Sequence, residues 1–134
     1  MLHINSPEEI VSASSEKVYQ VLSRFFERKM DGMPGLTNWE SLPNGCRFTV
    51  QDHVNCELSI SEQVPCSRVC YRAVTDAGMS ANVSFDIASR GDVSALRAQL
   101  DMDVPFFLQP VVKGAVNKFM GTAMQYLKTA IENS

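Results

Sequence analysis

Hydrophobic positions change their period twice along this chain. Val18, Val21, Leu22, Phe25 and Phe26 recur at i, i+3, i+4, i+7 and i+8, which is one apolar stripe of a helix. Glu16, Lys17, Gln20, Arg24, Glu27 and Arg28 fill the other side. Ser14 or Ser15 offers an N-cap oxygen, and Glu16 stands in the first turn, where the helix dipole favours negative charge. A strand over 8–13 precedes this helix, and Asp31-Gly32 with Met33-Pro34-Gly35 ends it in a loop.

From residue 38 the period falls to two. Asn38–Leu42 predicts a short strand, closed by Pro43-Asn44-Gly45. Cys46, Phe48 and Val50, then Val54, Cys56, Leu58 and Ile60, alternate with polar neighbours. The same alternation continues through Val69, Tyr71 and Ala73, through Val83, Phe85 and Ile87, and through Leu96, Ala98, Leu100 and Met102. Turn signals separate these runs at Pro65-Cys66-Ser67, Asp76-Ala77-Gly78 and Arg90-Gly91-Asp92. Consecutive hairpins with one apolar parity predict an antiparallel sheet that is wet on its other face. A parallel α/β fold would interleave helices, and none are present.

The helical period returns after Pro105. Val112, Ala115, Val116, Phe119, Ala123, Tyr126, Leu127 and Ala130 fall on one side, and Met120 and Met124 widen the arc. Lys113, Asn117, Gln125, Lys128 and Glu132 fall on the other. Gly114 and Gly121 face outward, where they read as simply tolerated; a bend or the approach of a neighbouring subunit is the alternative. The expectation is an α+β fold in a single domain, 1–134: a curved antiparallel sheet of about six or seven strands whose apolar face is covered by the long C-terminal helix.

Composition narrows the partners. With 134 residues, 45% hydrophobic and 20% charged, the chain fits one ordinary globular core. The net charge of −3 and the scattered basic residues argue against nucleic acid. No apolar run reaches the ~18 residues of a membrane span, and the opening Met1-Leu2-His3-Ile4 lacks a basic and apolar leader. A cytoplasmic protein is therefore expected. Cys46, Cys56, Cys66 and Cys70 do not have zinc-site spacing, and in a reducing compartment they read as free thiols acting as small hydrophobes. No metal and no cofactor is indicated.

Three segments carry a resemblance. Ile10–Ser23 resembles the first strand and helix of the START-like (SRPBCC) superfamily, which includes polyketide cyclase/dehydrase and birch-pollen-allergen-like proteins. Glu62 with Val64-Pro65 resembles its Glu-x-x-Pro hairpin, and Phe119-Met120, Ala123-Met124 and Leu127-Lys128 resemble its closing helix. The resemblance spans essentially the whole chain and implies a helix-grip fold, with the last helix lying across a bent sheet over a cavity for hydrophobic ligands. It does not fix a function, since members include carriers, cyclases, receptors and chaperone regulators. The glycine-rich loop of the plant members is lacking.

The inward strand parity and the inner arc of the last helix nominate a ligand-binding lining: Cys56, Leu58, Ile60, Tyr71, Phe85, Leu100, Met102, Val116, Phe119, Met120, Ala123 and Tyr126. The same residues would build a filled core, and periodicity does not separate the two. The leading expectation is binding or carriage of a small hydrophobic molecule such as a lipid or polyketide. A cofactor-free cyclase or dehydratase would instead run proton transfer on Glu62, Tyr71 or Tyr126. Backbone hydrogen bonding is the commoner use of a buried phenol, and Glu62 reads as solvated beyond a strand end. His53 reads as a surface turn residue and His3 as part of a frayed terminus. No nucleophile motif is present, so no catalytic residue is nominated. An interaction domain with a filled core and an exposed apolar patch around Phe106-Phe107 is the third alternative. Oligomeric state is not legible, and a homodimer stays open.

Overall fold

In the computed structural model the described residues are 2–24, 36–50, 54–76 and 78–133. Phe25 and Phe26 of the first predicted stripe, the turn at 31–35 and His53 lie outside them.

The chain opens with two short strands, β1 (Leu2–Asn5) and β2 (Glu9–Val11), and then α1 (Ser15–Arg24). Six longer strands follow: β3 (Leu36–Leu42), β4 (Gly45–Val50), β5 (Val54–Val64), β6 (Arg68–Thr75), β7 (Ser80–Arg90) and β8 (Val93–Asp103). A 3-10 turn at Phe106–Leu108 leads into α2 (Gln109–Glu132). The order across the sheet is β1-β8-β7-β6-β5-β4-β3, with β2 also on β8. Every pairing is antiparallel.

The sheet is curved and not closed, as the alternation predicts, and has eight strands among the described residues rather than six or seven. The strand that periodicity missed is β1. Pro7 interrupts the N-terminal segment, so neither half is long enough to show a period. Ser6 bridges the break: its backbone N–H donates to the Ala98 carbonyl at 2.9 Å, and its Oγ accepts the Ala98 N–H at 2.8 Å. His3 is accordingly a strand residue touching the Asp101 carboxylate, not a frayed end.

Local chemistry fixes the other boundaries. Ser14 caps α1, its Oγ accepting the Lys17 N–H at 3.3 Å. Val18, Val21 and Leu22 bury the face that the stripe predicts. At Gly45 an added Cβ would lie 1.8 Å from the Leu58 carbonyl oxygen, so only glycine lets β4 approach β5 there.

Two irregularities redirect side chains. Asn38 has φ 57°, and the β3–β4 register shifts between Thr37 and Glu40. Trp39 packs against the core and stacks on Phe48 with ring centroids 5.4 Å apart. In β5 the register shifts between Ile60, opposite Tyr71, and Glu62, opposite Cys70. This bulge inserts one residue and reverses the parity beyond it.

Candidate functional site

The inner face of the sheet is built in cross-strand rows. One row runs Ile60–Tyr71–Val83–Leu100–Ile4, and the next runs Leu58–Ala73–Ala81–Met102–Leu2. All are apolar or aromatic, as the parity predicts. Ala73 and Ala81 occupy neighbouring strands of the second row, so two small side chains of the face lie side by side between Leu58 and Met102. The sequence reading leaves both alanines out of the lining. Their small size at an inward parity is the signal that finds them.

Helix α2 covers this face unevenly. From Gln109 to Phe119 no residue is buried, whereas Met120, Met124, Leu127 and Ile131 are. Two polar contacts pin the second half to β2: Gln125 Nε2 donates to Glu9 Oε1 at 3.1 Å, and Glu132 Oε2 accepts the Ser12 N–H at 2.9 Å. The first half, close to the end of β8, contributes Val112 and Val116, which are only partly buried against the core. Met120 and Met124 are therefore central to the buried face rather than flanking it, and Ala115 is exposed. At 100° per residue the docked face of the second half is turned by roughly a quarter-turn from the stripe read off the sequence. That stripe gave weight to Phe119, Ala123 and Tyr126, which are half-buried.

Of the twelve nominated residues, Cys56, Tyr71, Phe85, Leu100 and Met120 are buried. Leu58, Ile60, Met102, Val116, Phe119, Ala123 and Tyr126 keep partial access to solvent. The inner face thus has a sealed end, where Val11, Val18, Leu22, Leu96 and Ile131 are completely buried, and less sealed positions at Leu58, Ile60 and Met102.

The polar groups do not converge. Tyr71 is fully buried and its hydroxyl donates to the Leu22 carbonyl at 2.5 Å, the backbone use expected of a buried phenol. Burial, and then the neighbouring Cys46, hold its proton well above the usual phenol range. Cys46 and Cys56 also face inward: burial pushes the first up to about 12, with Cys56 adding to it, and the second up to about 11, with Glu57 adding to it. The β5 bulge places Glu62 opposite Cys70 on the outer parity, where it is exposed. Glu62 and Tyr71 therefore lie on opposite faces of the sheet, and the proton-transfer set read from the sequence is not assembled.

The outer face holds a cluster that sequence reading did not find. Arg68 donates from Nε to Cys70 Sγ and from Nη2 to Ser84 Oγ, both at 3.2 Å, and lies 3.8 Å from Asp86. Cys70 is consequently buried despite its polar-side parity. All four cysteines are free thiols, and Cys66, in the β5–β6 turn, is the exposed one. No helix among the described residues is long and apolar enough to cross a membrane.

The sequence matches no family model and no curated protein. Solved structures do match over nearly the whole chain. A conserved protein from Geobacillus kaustophilus superposes with a TM-score of 0.77 at 12% identity, covering 99% of this chain and 97% of its own. A START superfamily protein from Mycobacterium smegmatis gives 0.63 at 16% identity, with 98% and 94% covered. The Aha1 dimer from Colwellia psychrerythraea gives 0.66 at 18% identity, with 98% and 97% covered. With its bent antiparallel sheet and the long helix laid across it, the chain has the START-like helix-grip fold.

Proposed function

We propose that this protein binds or carries a small hydrophobic molecule between the sheet and the first half of α2. The observations that carry this reading are the small side chains in the row Leu58–Ala73–Ala81–Met102 of the inner face and a first half of α2 without one buried residue. Both alanines are buried in the core, and side chains this small at adjacent inward positions take up less of the space under the helix than Leu or Phe would there. The walls are aliphatic and thioether groups, which suit a ligand held by shape and dispersion more than by hydrogen bonds. The inward thiols and Tyr71 keep their protons at neutral pH, so no charge is buried beside the ligand. The START-like fold supports the same reading, because it places a helix over a concave apolar face.

The test is to fill the space. Wild-type protein should take up an apolar fluorescent probe saturably, one molecule per chain, and melt at a higher temperature when loaded. Ala73→Leu and Ala81→Leu should each weaken uptake at least tenfold while leaving the melting temperature of the empty protein equal or higher. Overpacking a solid core instead costs about 1–3 kcal/mol. An absence of saturable uptake, with both variants destabilised to that extent, would show that the space is already full.

A further inference from the structure

The strongest unexplained feature lies where β8 gives way to α2. Phe106 is 87% exposed, Phe107 78% and Val111 74%, and Leu108 is also exposed. Val111, Ala115 and Lys118 recur at i, i+4 and i+7 along the side of α2 turned away from the sheet, and all three are exposed. The 3-10 turn and the first turns of the helix thus present a second apolar stripe, unconnected with the inward one, that ends in a lysine.

Charge around this stripe is one-sided. From Val104 to Ile131 the chain has three lysines, Lys113, Lys118 and Lys128, and no Asp or Glu, which leaves nine basic against fifteen acidic residues elsewhere. The acidic residues nearest in sequence, Asp101 and Asp103, stand on the outer parity of β8, while α2 covers the inner face. Aromatic side chains at a tip, with lysines set back along the same helix, match an anionic lipid surface: rings enter the headgroup boundary and ammonium groups meet the phosphates.

We infer that Phe106, Phe107, Leu108 and Val111, flanked by Lys118 on the same side of the helix and by Lys113 on the other, form a docking tip for an anionic bilayer surface. A protein partner fits less well. Specific interfaces engage roughly twenty residues or more on each side, and this tip offers four large apolar side chains. A second copy of the chain in a two-fold arrangement would set these lysines against their own equivalents, which repel. The inference does not depend on the ligand reading, because these four apolar residues are exposed and none belongs to the lining proposed for the ligand.

Vesicle co-sedimentation separates the outcomes. Wild-type protein should pellet with vesicles containing about a third phosphatidylglycerol at least tenfold more strongly than with pure phosphatidylcholine, and added salt should release it. Phe106→Ser with Phe107→Ser should abolish pelleting, and Lys113→Glu with Lys118→Glu should remove the preference for anionic lipid. These side chains are exposed, so an unchanged melting temperature verifies that each variant is folded. Wild-type protein that stays in the supernatant, or a serine variant that pellets equally well, overturns the inference. A concentration-dependent dimer in sedimentation velocity that the serine variant dissociates also overturns it and assigns the tip to a second copy.

Discussion

Cys46 and Cys56 show what burial does to a titrating group in this interior. Held up to about 12 and about 11 from a usual 9.0, both thiols stay protonated in the folded chain at pH values where an unfolded chain releases its protons. Stability from this source is complete below about pH 9 and is lost as pH climbs through the two folded values. The melting temperature should therefore fall between pH 9 and 12, by an amount on the order of a few kcal/mol of unfolding free energy. Cys46→Ala should flatten that fall even if it lowers the melting temperature at pH 7. Thermal melts of both proteins at pH 7, 9 and 11 provide the check, and a wild-type curve flat with pH would contradict it. Residue-scale chemistry was only partly legible in the sequence. The inward parity of both thiols was visible there; the Arg68 cover over Cys70 was not, because it depends on two side chains meeting across β6 and β7.

At the scale of elements, α2 has two halves with different work. Ile131 is completely buried and Met124 nearly so, whereas Val112 and Val116 keep partial exposure. Ile131→Ala should cost about 3 kcal/mol, in the range for a fully buried aliphatic side chain. Val116→Ala should cost less than about 1 kcal/mol, yet weaken uptake of an apolar probe. Urea unfolding of the two variants, with probe titration of the second, tests the contrast; equal costs would mean that the helix is packed uniformly. Strand positions were legible because alternation over six to eight residues is a strong signal, and β5, β7 and β8 contain the runs it picks out, each extending further. The face that α2 buries was misread in its second half. Its apolar arc is wide enough to admit several seatings, and the contacts of Gln125 and Glu132 with the β2 segment choose among them. The β5 bulge was equally invisible, since an inserted residue leaves no mark on a two-residue period until the partner strand is known.

For the whole molecule, the gradient of burial along α2 sets which parts open together. Amides of residues 120–131 should exchange with solvent only as slowly as the sheet opens, while those of 109–119 should exchange faster through local opening. Hydrogen exchange followed by mass spectrometry resolves the two halves, and an apolar ligand should slow the first half alone. Uniform protection along the helix would argue against a loosely held segment. Helix order, sheet and overall architecture were readable from the sequence because they follow from periodicity; the split within α2 was not, because it depends on which residues the second half meets, among them two long-range polar partners.

That split resembles a beam bolted down at one end and merely tied at the other. The bolts near Ile131 bear the load that keeps the molecule folded, while the tied end, joined to β8 through Val104 and Pro105, sets how closely the first turns of the helix approach the core. Load and clearance are thus assigned to different stretches of one helix. Side chains beneath the tied end can therefore change in bulk without loosening the bolts.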